Sequence, residues 1–106
     1  MKIIKTKTYV IDGSADITID LTNDGSGDTV STEVILQVED DVTIALKGRA
    51  IDDDDFEYRD VACMSLATLK VEAIEAAGIF IVPVEALSSL FLSVTGSTTL
   101  VVKILS

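Results

Sequence analysis

Alternation with a period of two runs through most of this chain, and it constrains the fold more than any other feature. Ile17, Ile19 and Leu21 alternate with Asp16, Thr18, Asp20 and Thr22. Val34, Leu36 and Val38 alternate with Glu33, Gln37 and Glu39, interrupted by Ile35, and Val42, Ile44 and Leu46 alternate with Thr43 and Lys47. Successive side chains of a strand point to opposite faces, so this pattern marks strands with one buried and one wet face. Turn-forming clusters punctuate the runs at Asp12-Gly13-Ser14, residues 23–28, Asp52 to Asp55, Ala77-Gly78 and Thr95-Gly96-Ser97. The strands so bounded cover residues 3–11, 15–22, 31–39, 42–50, 56–60, 68–74, 79–84, 89–95 and 98–105. Many short strands with frequent turns predict an all-β fold, a β-sandwich or jelly roll of about eight or nine mostly antiparallel strands. The chain has 106 residues, which suits one such domain over residues 1–106.

Several local expectations follow. Asp40-Asp41 between two alternating runs predicts a tight hairpin. Pro83 cannot donate to a ladder, so its stretch should be an edge, a bulge or a strand end. Residues 60–67 have little β character and admit one helical turn. Residues 71–77 have good helix propensity ahead of Gly78, so helix stands beside strand there. Apolar residues make up 48% of the chain but aromatics only 5%, so the core must be aliphatic.

The last third reads differently. Ile79 to Val84 is apolar at every position; Leu90, Leu92 and Val94 have Phe91 opposite; Leu100, Val102 and Ile104 have Val101 and Leu105 opposite. Strands apolar on both faces are either covered twice within the fold or meet another subunit. A chain this small has little material to cover three strands twice. The expectation is a homo-oligomer, such as a trimer, with Phe80, Val82, Phe91, Val101 and Leu105 at its interface.

Net charge is −10, and no Lys or Arg stands between Thr8 and Leu46. Such a surface repels phosphate backbones and anionic lipid, so neither nucleic acid nor membrane is an expected partner. Cys63 is the single cysteine, so the fold does not depend on an internal disulfide. The residues from Met1 to Lys7 hold no apolar run of signal-peptide length, and synthesis in the cytosol without export is the expectation.

Catalytic chemistry has little to stand on. Without histidine there is no Ser-His or Cys-His pair and no imidazole base. Zinc would need His or several Cys. No phosphate-binding glycine loop of the Gly-x-x-x-x-Gly-Lys type is present. A glycosidase-like carboxylate pair would lack the aromatic platforms that sugar sites carry. The expectation is a non-enzymatic protein without a required cofactor.

Calcium is the cation the acidic loops would take, because it favours hard oxygen ligands. Asp24 and Asp28 flank Ser26 in a glycine-containing loop, and Asp52 and Asp54 belong to a run of four aspartates. The EF-hand pattern fails, with Thr29 in place of its glycine and Ile35 in place of its bidentate glutamate. A solvated acidic loop is the alternative at both places. Cys63, flanked by Ala62 and Met64, reads as a small buried hydrophobe rather than a reactive thiol. Phe56 and Tyr58 read as core or interface anchors.

Four segments in order resemble the small β-sandwich structural proteins of tailed bacteriophages. They are Val42-Thr43-Ile44-Ala45-Leu46-Lys47-Gly48-Arg49 followed by the aspartate run and Phe56; Ala77-Gly78-Ile79-Phe80-Ile81-Val82; Leu90-Phe91-Leu92-Ser93-Val94-Thr95-Gly96; and Leu100-Val101-Val102-Lys103-Ile104. The resemblance spans roughly residues 33–106. It implies a virion component: a capsid decoration or head-fibre protein, or a tail or adaptor component, contacting itself and other capsid or tail proteins. No catalytic residues come with it. The alternative reading is a carbohydrate- or cell-surface-binding sandwich that uses calcium in an acidic loop.

Overall fold

The computed structural model describes residues 3–22, 31–51, 53–85 and 87–106. They form ten strands and no helix: β1 (Ile3–Ile11), β2 (Ser14–Asp20), β3 (Glu33–Val38), β4 (Thr43–Arg49), β5 (Arg59–Asp60), β6 (Met64–Ser65), β7 (Lys70–Val71), β8 (Gly78–Pro83), β9 (Ser89–Thr95) and β10 (Thr98–Leu105). All pairings are antiparallel. One sheet has the order β1-β10-β3-β8-β6-β7 and the other β2-β9-β4-β5.

This order is that of a jelly roll. Strands β1 to β4 run as one arm of a long hairpin against β10, β9, β8 and β5, giving the pairs β1·β10, β2·β9, β3·β8 and β4·β5. Rolling that hairpin joins β10 to β3 and β9 to β4. The short β6–β7 hairpin is inserted between β5 and β8 and widens the first sheet.

The alternating residues build the core. Val34, Leu36, Leu100 and Val102 from one sheet meet Leu90, Leu92, Val94 and Ile44 from the other, and all are buried. Phe80 is the aromatic of this cluster, which is aliphatic apart from it and Cys63, and Tyr9 packs against the cluster. Pro83 ends β8, as its missing N–H requires. Residues 71–77 extend no further than the end of β7 and a single bridge, Ile74 to Ile44, rather than a helix. Once Ile74 is drawn into the core, extended backbone satisfies its neighbours better than a helical turn would.

Two expectations need correction. Asp40-Asp41 is not a hairpin turn: β3 and β4 lie in different sheets, and the segment crosses between them. Its polar groups serve that crossing, with the Asp40 N–H donating to Thr98 Oγ1 (3.2 Å) and Asp41 Oδ1 accepting from the Ala77 N–H (3.0 Å). Second, Phe80 and Val82 point into the protomer's own core, because β8 pairs them with the inward Leu36 and Val34. Leu105 is buried at the end of β10 as well. These three side chains present no surface to a second subunit.

Candidate interaction surface

Register determines which apolar residues face outward. Across the first sheet, Ile35 pairs with Ile81, Ile81 with Met64, and Met64 with Val71. Directly paired residues share a face. Phe80 and Val82 point inward, so this row points out, and it is half-buried at Ile35, Ile81 and Met64 and exposed at Val71. Ile79 and Leu66 continue the patch at its corner, tied by a hydrogen bond from the Leu66 N–H to the Ile79 carbonyl (2.9 Å). Val101 also faces out, half-buried between Gln37 and Thr8. Apolarity on both faces of β8 is therefore real, with Ile79 and Ile81 carrying the outer half.

The second sheet is different. Its outer face carries Asp16, Thr18 and Asp20 on β2 and Thr43 and Lys47 on β4. Phe91 is its large apolar residue, and its own chain covers it: Tyr58 lies 5.7 Å away, ring to ring. The Tyr58 hydroxyl is hydrogen-bonded to Ser89 Oγ (2.9 Å), and the Arg49 guanidinium stacks 4.5 Å above the Tyr58 ring. Arg49 Nη1 also donates to the carbonyls of Asp53 and Phe56 and stands 3.9 Å from Asp54 Oδ1. One largely buried arginine thus organises the acidic loop.

Beside Arg49 lies an open cleft of about 650 Å³ lined by Ile51, Phe56, Arg59 and Leu87, with Ile51 and Phe56 exposed. Of the residues expected to hold calcium, Asp24, Asp28 and Asp52 fall outside the described residues. Asp54 is fully exposed. Among the described residues no three carboxylate, Cys or His side chains come together as a metal-binding group. Within the loop, Asp53 Oδ1 accepts from the Asp55 N–H (2.9 Å), which is ordinary Asx-turn chemistry.

Cys63 is buried, with Sγ 3.2 Å from the Glu72 carbonyl. Burial, and secondarily the Glu72 charge, pushes its thiol above the ordinary value, the opposite of activation. Asp20 moves the other way: the Thr22 hydroxyl (2.6 Å) and then the Thr22 N–H (2.9 Å) donate to its carboxylate and lower its pKa.

What the described residues present, then, is a jelly roll with an apolar row across the outer face of one sheet and a polar outer face on the other. No family model matches the chain, and no curated protein matches it. Solved structures do. The SPBc2 prophage-derived protein YomS superposes with a TM-score of 0.68 at 10% identity, covering 96% of this chain and 94% of that one. The Yersinia pseudotuberculosis-derived mitogen superposes with a TM-score of 0.50 at 13% identity, covering 98% of this chain and 85% of that one. At such identities the likeness is one of fold.

Proposed function

We propose that this chain is a non-enzymatic structural protein of a phage particle, a capsid decoration, head-fibre or tail/adaptor component that works through protein–protein contacts. The observation that carries the reading is the outer face of the six-stranded sheet, where Ile35, Ile81, Met64 and Val71 line up across four strands of a protein with net charge −10. Contiguous apolar surface of this kind is kept where something covers it. Fold likeness to a prophage-derived protein over nearly the whole of both chains supports the phage context. The protein is made in the host cytoplasm and ends in the virion, as a homo-oligomer or on the capsid or tail, and contacts neither nucleic acid nor membrane. Mass spectrometry of purified particles from a producing strain tests this. The expected result is the chain at stoichiometric abundance; its absence from particles would refute the reading.

A second reading is favoured by the open cleft beside the acidic loop, where Phe56 and Arg59 stand next to Asp55 and Glu57. There the chain is a carbohydrate- or cell-surface-binding module assisted by calcium. A bound ion stabilises the folded state by mass action. A melting temperature that rises with millimolar calcium but not with sodium at equal ionic strength would support this reading, and no difference would remove its metal-dependent form.

A further inference from the structure

We infer that the outer face of the β1-β10-β3-β8-β6-β7 sheet is where two copies of this chain meet, each presenting the same face to the other. The inference rests on the proposed assembly role and names its surface and its partner.

Charge permits self-contact at this face, and the apolar row of Ile35, Ile81, Met64 and Val71 distinguishes it from the polar outer face of the other sheet. Self-association of a protein with net charge −10 brings repulsion unless the meeting surfaces are neutral. Within the described strands, the outward charged residues of this sheet are Glu33 and Lys103, one of each sign. The two lie diagonally on the neighbouring strands β3 and β10, since Lys103 pairs with Ile35 and Glu33 with Leu105. A two-fold contact repeats both charges in opposite order, so the surface is complementary to itself. The acidic loop, with Asp53, Asp54 and Asp55 in a row, has no such balance.

Size and shape also fit a second copy. At about 4.8 Å per strand, six strands span about 24 Å. Four of the strands have six to nine residues and β6 and β7 two each, so the face covers about 500 Å² in plan. Protruding side chains raise the accessible area toward the roughly 800 Å² per partner of a standard interface. The apolar part of the face, on β3, β8, β6 and β7, can stack on its copy as the sheets of a sandwich do.

Leu69 is the independent observation. It sits in the β6–β7 turn with φ +58°, a left-handed conformation that a bulky side chain rarely adopts, and it is 69% exposed. Its side chain returns little to the isolated protomer. In the turn that joins Leu66 to Val71, it has a use where a second copy seals the edge of the patch. Backbone strain of this sort persists at contact sites.

The test uses the full chain at about 50 μM, where a micromolar dimer is mostly assembled. Light scattering behind size exclusion should give twice the mass of one chain. Val71→Lys and Leu69→Asn alter exposed positions outside the core, and each should weaken the dimer at least ten-fold. Leu69→Asn should also leave the dilute monomer as stable as before or more so, because Asn tolerates the left-handed backbone. A purely structural role for Leu69 would instead leave the dimer constant unmoved. A monomer at this concentration, or a dimer indifferent to both substitutions, overturns the inference. A monomer that is nevertheless found on purified particles refutes this interface and leaves the assembly role standing; a dimer absent from particles does the reverse.

Discussion

Tyr58 joins three parts of the molecule with one side chain. Its ring touches both Phe91 and the Arg49 guanidinium, and its hydroxyl reaches Ser89. Tyr58→Phe keeps the ring and removes that hydrogen bond, so a loss of about 1 kcal/mol is expected in urea denaturation. Tyr58→Ala should cost more, because Phe91 and the stem of Arg49 would both become exposed. The sequence showed Phe56 and Tyr58 as a pair, but only Tyr58 is an anchor; Phe56 is exposed at the rim of the cleft. Spacing alone could not separate them, because the backbone before Arg59 is not regular strand. At Asp20 the Thr22 hydroxyl and N–H favour the charged carboxylate, so its folded pKa lies below the unfolded one. Its contribution is therefore present above the unfolded pKa of about 4 and is lost as pH falls through the folded value. Asp20→Asn should flatten the acid limb of a stability-against-pH profile, slightly, since the group is at the surface. An unchanged acid limb would count against the Thr22 bonds.

At the scale of elements, the loops between sheets hold the roll closed. The links β1–β2, β3–β4 and β9–β10 all cross from one sheet to the other. The first and last are tied together: the Gly96 N–H donates to the Gly13 carbonyl (2.6 Å), and the Gly13 N–H to Ser97 Oγ (2.8 Å). Gly96 has φ +120°, and a Cβ there would come within 2.7 Å of Val42 Cγ1. Gly96→Ala should cost about 1–3 kcal/mol through backbone strain alone, more if Val42 cannot move, measured as a fall in the urea midpoint with unchanged slope. The turn clusters were visible in the sequence as turns. Whether a turn makes a hairpin or crosses between sheets was not, and Asp40-Asp41 shows why. The same two residues suit both geometries, and the choice depends on Thr98 and Ala77, 58 and 36 positions away.

For the whole molecule, charge sets a background against which everything else acts. With 18 acidic and 8 basic residues, the compact state carries self-repulsion that salt screens. The melting temperature should rise between about 0.01 M and 0.15 M NaCl, over which the Debye length falls from about 30 Å to about 8 Å. A flat response would mean that the charges are already balanced locally. Topology sets the folding rate: β1 pairs with β10 across nearly the full chain. Such non-local pairing should place refolding in milliseconds to seconds rather than microseconds, which stopped-flow fluorescence of Tyr58 and Tyr9 would check.

By itself the sequence determined that this protein is built of strands, where most of them lie, and, in the strands that alternate, which side chains point inward. Leu36, Leu92 and Val102 are buried as their alternation required. That is so because side-chain direction along a strand is a local property with a period of two. Only the tertiary structure decided which strand lies beside which, and hence that Phe80 and Val82 fill the interior while Ile79 and Ile81 look outward. In a run apolar at every position, alternation is silent about which half faces the core, and a shift of one residue exchanges the two sets. Pairing with β3, more than forty residues earlier in the chain, removes that ambiguity.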